Sequence, residues 1–94
     1  MIDITIIPCQ KAWQRQLAQR AATVLKPVLN EDNLGMAAMQ ATKLLLHSKN
    51  RTLSALKVQH ERGRYGDRLV VSRPYVHAPE LDTPCLILKQ AETK

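Results

Sequence analysis

The sequence predicts a two-layer α+β domain, with two helices packed on one face of a small, mainly antiparallel sheet. The predicted order is strand, helix, helix, strand, strand, strand. Three observations predict it. Residues 2–7 are apolar and β-branched. Two helical stretches follow, one with apolar residues at helical spacing and one rich in strong helix formers. Beyond them, strand-like runs flank a Gly-rich turn and a Pro-rich connection. A sheet built from those strands must lay one face on the two helices. The 94 residues leave room for one domain, residues 1–94, ending in a polar tail at 90–94.

Ile2, Ile4 and Ile6 share one face of the first strand, which is expected to be fully buried. Pro8 ends that strand. From Gln10 to about Leu29, Trp13, Leu17, Ala21, Val24 and Val28 recur at steps of three and four, one face of a helix. Pro27 ends or kinks it, because proline lacks an N–H and crowds the preceding turn. Asn30-Glu31-Asp32-Asn33 carries capping chemistry, and its acidic pair suits a helix N-terminus.

A second helix is expected from about Leu34 to Ser48, rich in strong helix formers. Apolar over most of its circumference, it is expected to be the most buried helix. Arg51–Arg62 fits both a helix face and strand alternation, with the strand preferred for Ala55–Arg62. Gly63-Arg64-Tyr65-Gly66-Asp67 is a turn signal, and Arg68–Arg73 reads as strand, so the two runs form a hairpin. Pro74–Pro84 is expected to be an ordered loop and Cys85–Lys89 a last short strand.

The formal net charge is +6, from 14 Lys and Arg against 8 Asp and Glu. It is not evenly spread. Residues 43–73 hold eight cations against Glu61 and Asp67, while the remainder of the chain is neutral. Five of the eight are arginine, which suits bidentate contact with phosphate or carboxylate. The candidate binding residues are therefore Arg51, Lys57, His60, Arg62, Arg64, Tyr65, Arg68 and Arg73. On the predicted hairpin, Arg62, Arg64 and Arg68 cluster at the turn with Tyr65. Lys57 and Arg73 lie further down the strands. Such a ribbon can track a phosphate backbone or fit a groove. A solvated, aggregation-resistant sheet edge uses the same residue types.

Other chemistries find less support. No apolar run approaches the ~18–20 residues of a membrane span. The N-terminus lacks the basic and apolar regions of a secretory signal, so a cytoplasmic location is expected, that of the host if the protein is phage-encoded. Two cysteines are too few for a disulfide scaffold. If the first and last strands are antiparallel neighbours, Cys9 and Cys85 approach disulfide reach, although two buried thiols are the expected reading. Cys9, Cys85 and His77 have zinc-ligand chemistry but no ligand spacing, so neither metal nor cofactor is expected. His47, His60 and His77 form no readable catalytic pairing. Trp13, Met36 and Met39 read as core. With Trp13, Tyr65 and Tyr75 the only aromatics, a binder built on several stacking platforms is not indicated.

In length, charge and element order the chain resembles the small basic toxins of the RelE/ParE superfamily. The resemblance covers most of the chain as architecture, not as a sequence motif. It implies that Arg62, Arg64, Tyr65, Arg68 and His60 stand where the ribonuclease members place residues that cleave ribosome-bound messenger RNA, or that the chain inhibits gyrase. The residues themselves favour a non-enzymatic module that occupies nucleic acid, or the acidic surface of a nucleic-acid-processing protein. Small, motif-free domains of this kind are common among phage and mobile-element products, which makes an inhibitor or accessory role an expectation. A homodimer formed through a free sheet edge or the second helix is the third class.

Overall fold

In a computed structural model of the chain, which describes residues 1–8, 11–64, 66–75, 77 and 83–91, the elements run in the predicted order. Strand β1 (Ile2–Ile6) leads to helix α1 (Ala12–Val24), a 3-10 turn (Lys26–Asn30), helix α2 (Leu34–Leu46) and a single helical turn, α3 (Arg51–Ser54). Strands β2 (Lys57–Gly63), β3 (Gly66–Arg73) and β4 (Thr83–Gln90) complete the fold. The sheet order is β1-β4-β3-β2, and every neighbouring pair is antiparallel. The fold is a small α+β domain.

Register decides which face each strand residue occupies, because directly paired residues share a face. Ile4, Leu88, Leu69 and His60 form one row across all four strands; Ile6, Leu86, Val71 and Val58 form the next. Leu88, Leu69, Leu86 and Val71 from these rows are fully buried with Leu17, Ala18 and Ala21 of α1 and Ala37, Ala41 and Leu45 of α2. The alternate residues Val70 and Ile87 lie outside that cluster, on the opposite face. Near the end of β3 the register shifts between Val71 and Ser72. Cys85 is buried in the core there, and its Sγ donates to the Thr83 carbonyl at 3.6 Å. The Cys9 side of the proposed thiol pair lies outside the described residues.

Local chemistry explains the punctuation. Pro27 occupies the first turn of the 3-10 segment, so α1 ends before it and the chain tightens rather than continuing. Asn33 caps α2, its Oδ1 accepting the Met36 N–H at 2.9 Å. Asn50 caps α3, accepting from the Thr52 and Leu53 N–H groups. The ambiguous stretch is both structures in succession: one helical turn, then strand. Gly63 pairs with Gly66 to close the hairpin. A Cβ on Gly63 would stand 3.0 Å from the Gly66 carbonyl oxygen, and Gly66 has φ 118°, which disfavours L side chains. Gln90 Nε2 donates to the carbonyls of Asp32 and Met1, tying β4 to the connection before α2.

Three expectations change. Helix α2 is not buried around most of its circumference: Ala37, Ala41 and Leu45 face the sheet, while Met39 is 63% and Leu46 65% exposed. Small alanines let the helix approach the sheet closely, and the larger apolar residues are left outside. On β1, an edge strand, only Ile2 is buried; Ile4 is partly covered and Ile6 is exposed. Trp13 leaves the core as well, at 40% exposed. Most of the Pro74–Pro84 connection lies outside the described residues. Among those described, no helix is long and apolar enough to cross a membrane.

Residues on opposite sides of α2 should therefore respond differently. Leu45→Ala should cost about 2–5 kcal/mol of unfolding free energy, as a cavity in a packed core does. Met39→Ala should stay within roughly 0.5 kcal/mol. Chemical denaturation of the two variants checks the orientation of the helix.

Candidate functional site

The eight candidate residues do not form one surface. Strand β3 separates them: Arg68 and Arg73 are five residues apart, about 17 Å at strand rise. One group lies at the hairpin tip and the other at the far end of the strand.

At the tip, the β2–β3 and β3–β4 registers place Arg62 opposite Asp67, Glu61 opposite Arg68, and Arg68 opposite Lys89. Arg62, Arg64, Arg68 and Lys89 line an open depression of about 900 Å³ that also takes in Glu61 and Asp67. Alternation sends His60 and Glu61 to opposite faces, and each finds a partner on β3. His60 Nε2 lies 3.4 Å from Asp67 Oδ2. Arg68 donates to Glu61 Oε2 from Nε at 3.0 Å and from Nη2 at 2.9 Å. Arg68 is thus held as part of the sheet surface, whereas Arg62 and Arg64 are exposed and form no ion pair with a described residue. Tyr65 lies outside the described residues.

At the far end, Lys57 stands opposite Ser72, one residue from Arg73. Arg51 lies between Asn50 and Thr52 at the start of α3. A groove of about 550 Å³ opens here between the first turns of α1, the start of α3 and the end of β3. Lys11, Trp13, Arg20, Asn50, Arg73 and Tyr75 line it. The Arg73 guanidinium sits over the Trp13 ring, 5.0 Å from its centroid, a cation–π contact. No carboxylate lines the groove among the described residues.

Sequence reasoning missed three cations here and at the tip: Lys11, Arg20 and Lys89. Lys89 joins the tip only through the β3–β4 register. The nearest available signal for the groove was on α1, where Trp13, Gln16, Leu17 and Arg20 follow helical spacing. A Trp-to-Arg spacing of seven residues puts both on one helix face. Among the described residues no cluster of three or more His, Cys, Asp or Glu side chains could hold a metal ion.

The geometry can present guanidinium and ammonium groups to an anion at both ends of the sheet. The tip is partly self-neutralised; among the described residues the groove is not. Replacing Glu61 should expose the difference. Glu61→Gln should change stability by no more than about 1 kcal/mol, since both partners are nearly half exposed. By releasing Arg68 it should also strengthen retention on a heparin column, which elution salt measures. No family model, no curated protein and no solved structure matches the chain, so no relative's activity carries over to these residues.

Proposed function

We propose that this protein is a non-enzymatic basic binding module whose partner is nucleic acid. The carrying observation is the state of its arginines. Of the five between Arg51 and Arg73, four are exposed and form no ion pair with a described residue; among the described residues only Arg68 is tied to a carboxylate. An exposed guanidinium without an ion-pair partner gives the fold little. It is well suited to a phosphate, which accepts two parallel N–H bonds. The tip supports backbone contact of this kind, because Arg62 and Arg64 project from a tight turn that can enter or straddle a groove. A module that works by occupying its site competes with whatever else binds there. That is how an inhibitor or accessory role would follow.

Salt separates a phosphate partner from an acidic protein surface. Each phosphate contact contributes about −0.9 to the slope of log K against log salt on duplex DNA, and about −0.7 on single strands. Replacing Arg62, Arg64 and Arg68 together with alanine should lower binding to a labelled oligonucleotide and flatten that slope by roughly 2–3. Circular dichroism should show the fold intact. Unchanged affinity in the triple variant would remove the tip from the interface.

A ribonuclease reading has one observation on its side. His60 and Asp67 form a close pair beside Arg62, in the arrangement of a general acid or base next to a cation. If that chemistry operates, the protein should cleave ribosome-bound messenger RNA and His60→Ala should stop it. Intact messenger after incubation with the wild-type protein would dispose of the reading.

A further inference from the structure

We infer that the groove between Trp13, Arg73 and Tyr75 is a stacking site for an unpaired base of a single-stranded nucleic acid, with Lys11 and Arg20 receiving the adjoining phosphates. This rests on the nucleic-acid reading above and deepens it, naming the strandedness of the ligand and a second contact region.

The first argument is coincidence of chemistry. Both described aromatic residues of the chain lie in this groove, with Trp13 40% and Tyr75 52% exposed. Rings of that size are ordinarily covered when a protein has a core to put them in. Here they remain open beside three cations: Lys11, Arg20 and Arg73. Sites for single strands combine these two elements, a positive groove for the backbone and π-faces for the bases.

The second argument concerns Arg73. Its guanidinium lies over the Trp13 ring, and it forms no ion pair with a described carboxylate. A cation–π contact positions a guanidinium without neutralising its charge. Arg73 therefore remains able to pair with a phosphate or to offer its plane to a base, as arginine does in RNA recognition. Asn50 adds a side-chain amide at the rim, its Oδ1 already engaged by the helix cap.

Geometry selects the strandedness. In a duplex the bases show only their edges, since their faces are stacked on each other. An aromatic ring can stack face to face only with a base that has left its own stack. The volume, about 550 Å³, lies in the range of small-ligand pockets, enough for one base.

The chain's single tryptophan is the reporter. Trp13 fluorescence should be quenched when the full chain is titrated with a short oligothymidylate, less so with a duplex of equal length, and little with an abasic oligonucleotide or polyglutamate. Tyr75→Ala should weaken oligothymidylate binding roughly tenfold, the scale of one lost base stack. Tyr75→Phe should restore it, because the ring and not the hydroxyl is used. Arg73→Gln should weaken binding and flatten its salt dependence. The Arg62/Arg64/Arg68 alanine variant should bind less tightly yet still quench Trp13.

Oligonucleotide binding that leaves Trp13 unquenched and ignores Tyr75→Ala would overturn the groove assignment while leaving the nucleic-acid reading in place. Equal quenching by the abasic strand or polyglutamate would overturn base stacking in favour of a simple anion site. Failure of every oligonucleotide to bind would overturn both readings together.

Discussion

The alternation along β3 is the constraint on which the rest of the molecule depends. Leu69 and Val71 point to the helices and are fully buried, which forces Arg68 and Val70 to the opposite face. A slip of one residue would bury Arg68 and expose Leu69, so the core fixes the register against both neighbours. That register then places every charged group at the tip. It sets Arg68 between Glu61 on β2 and Lys89 on β4, and it sets Asp67 across from Arg62. The apolar residues of β3 thus determine the electrostatic pattern that the polar residues display.

The same strand keeps the two cationic groups apart. At a separation of about 17 Å along the strand, they lie beyond the Debye length of roughly 8 Å at physiological ionic strength. They act as two local sites rather than one field. Their chemistry differs accordingly. At the tip, Glu61 and Asp67 offset part of the charge and lock Arg68 and His60 into cross-strand pairs. In the groove, the partner of Arg73 among the described residues is the indole of Trp13. The first arrangement suits repeated backbone contact and the second suits a ligand with both a charge and a flat face.

Much of the fold was legible because it depends on neighbours in sequence. The step-of-four pattern from Leu17 to Ala21, the break at Pro27, the Asn33 cap and the Gly63–Gly66 turn are all local signals, and each marks an observed boundary. The orientation of α2 was not legible, because Met36, Met39 and Leu46 are as apolar as the Ala37, Ala41 and Leu45 that pack. Only the sheet's demand for close approach chooses the small residues. Arg51–Arg62 could not be resolved because it is a helical turn followed by a strand, and each template matched one half. The hairpin tip was readable since Arg62, Arg64 and Arg68 are near in sequence. The groove was not: it joins α1, α3 and β3, and a boundary drawn at Lys43 cut Lys11, Trp13 and Arg20 away from Arg73.

That difference in sequence distance has a thermodynamic consequence. Arg62, Arg64 and Arg68 belong to one short segment and stay close together when the chain is unfolded, so a polyanion can bind them in either state. A ligand that binds both states stabilises the native one by less than its affinity suggests. The groove exists only when α1 has docked on the sheet and the end of β3 has come beside it, which brings Trp13 under Arg73 across sixty residues of chain. An occupant there binds the native state alone and stabilises it by RT ln(1 + L/Kd), with L the free ligand concentration. The exposed parts of Trp13 and Tyr75 cost the free protein the burial a core would have supplied. An occupant stacked against them returns part of that burial. On the proposed reading, the groove is where binding is coupled to folding, and the tip supplies charge that attracts the same strand.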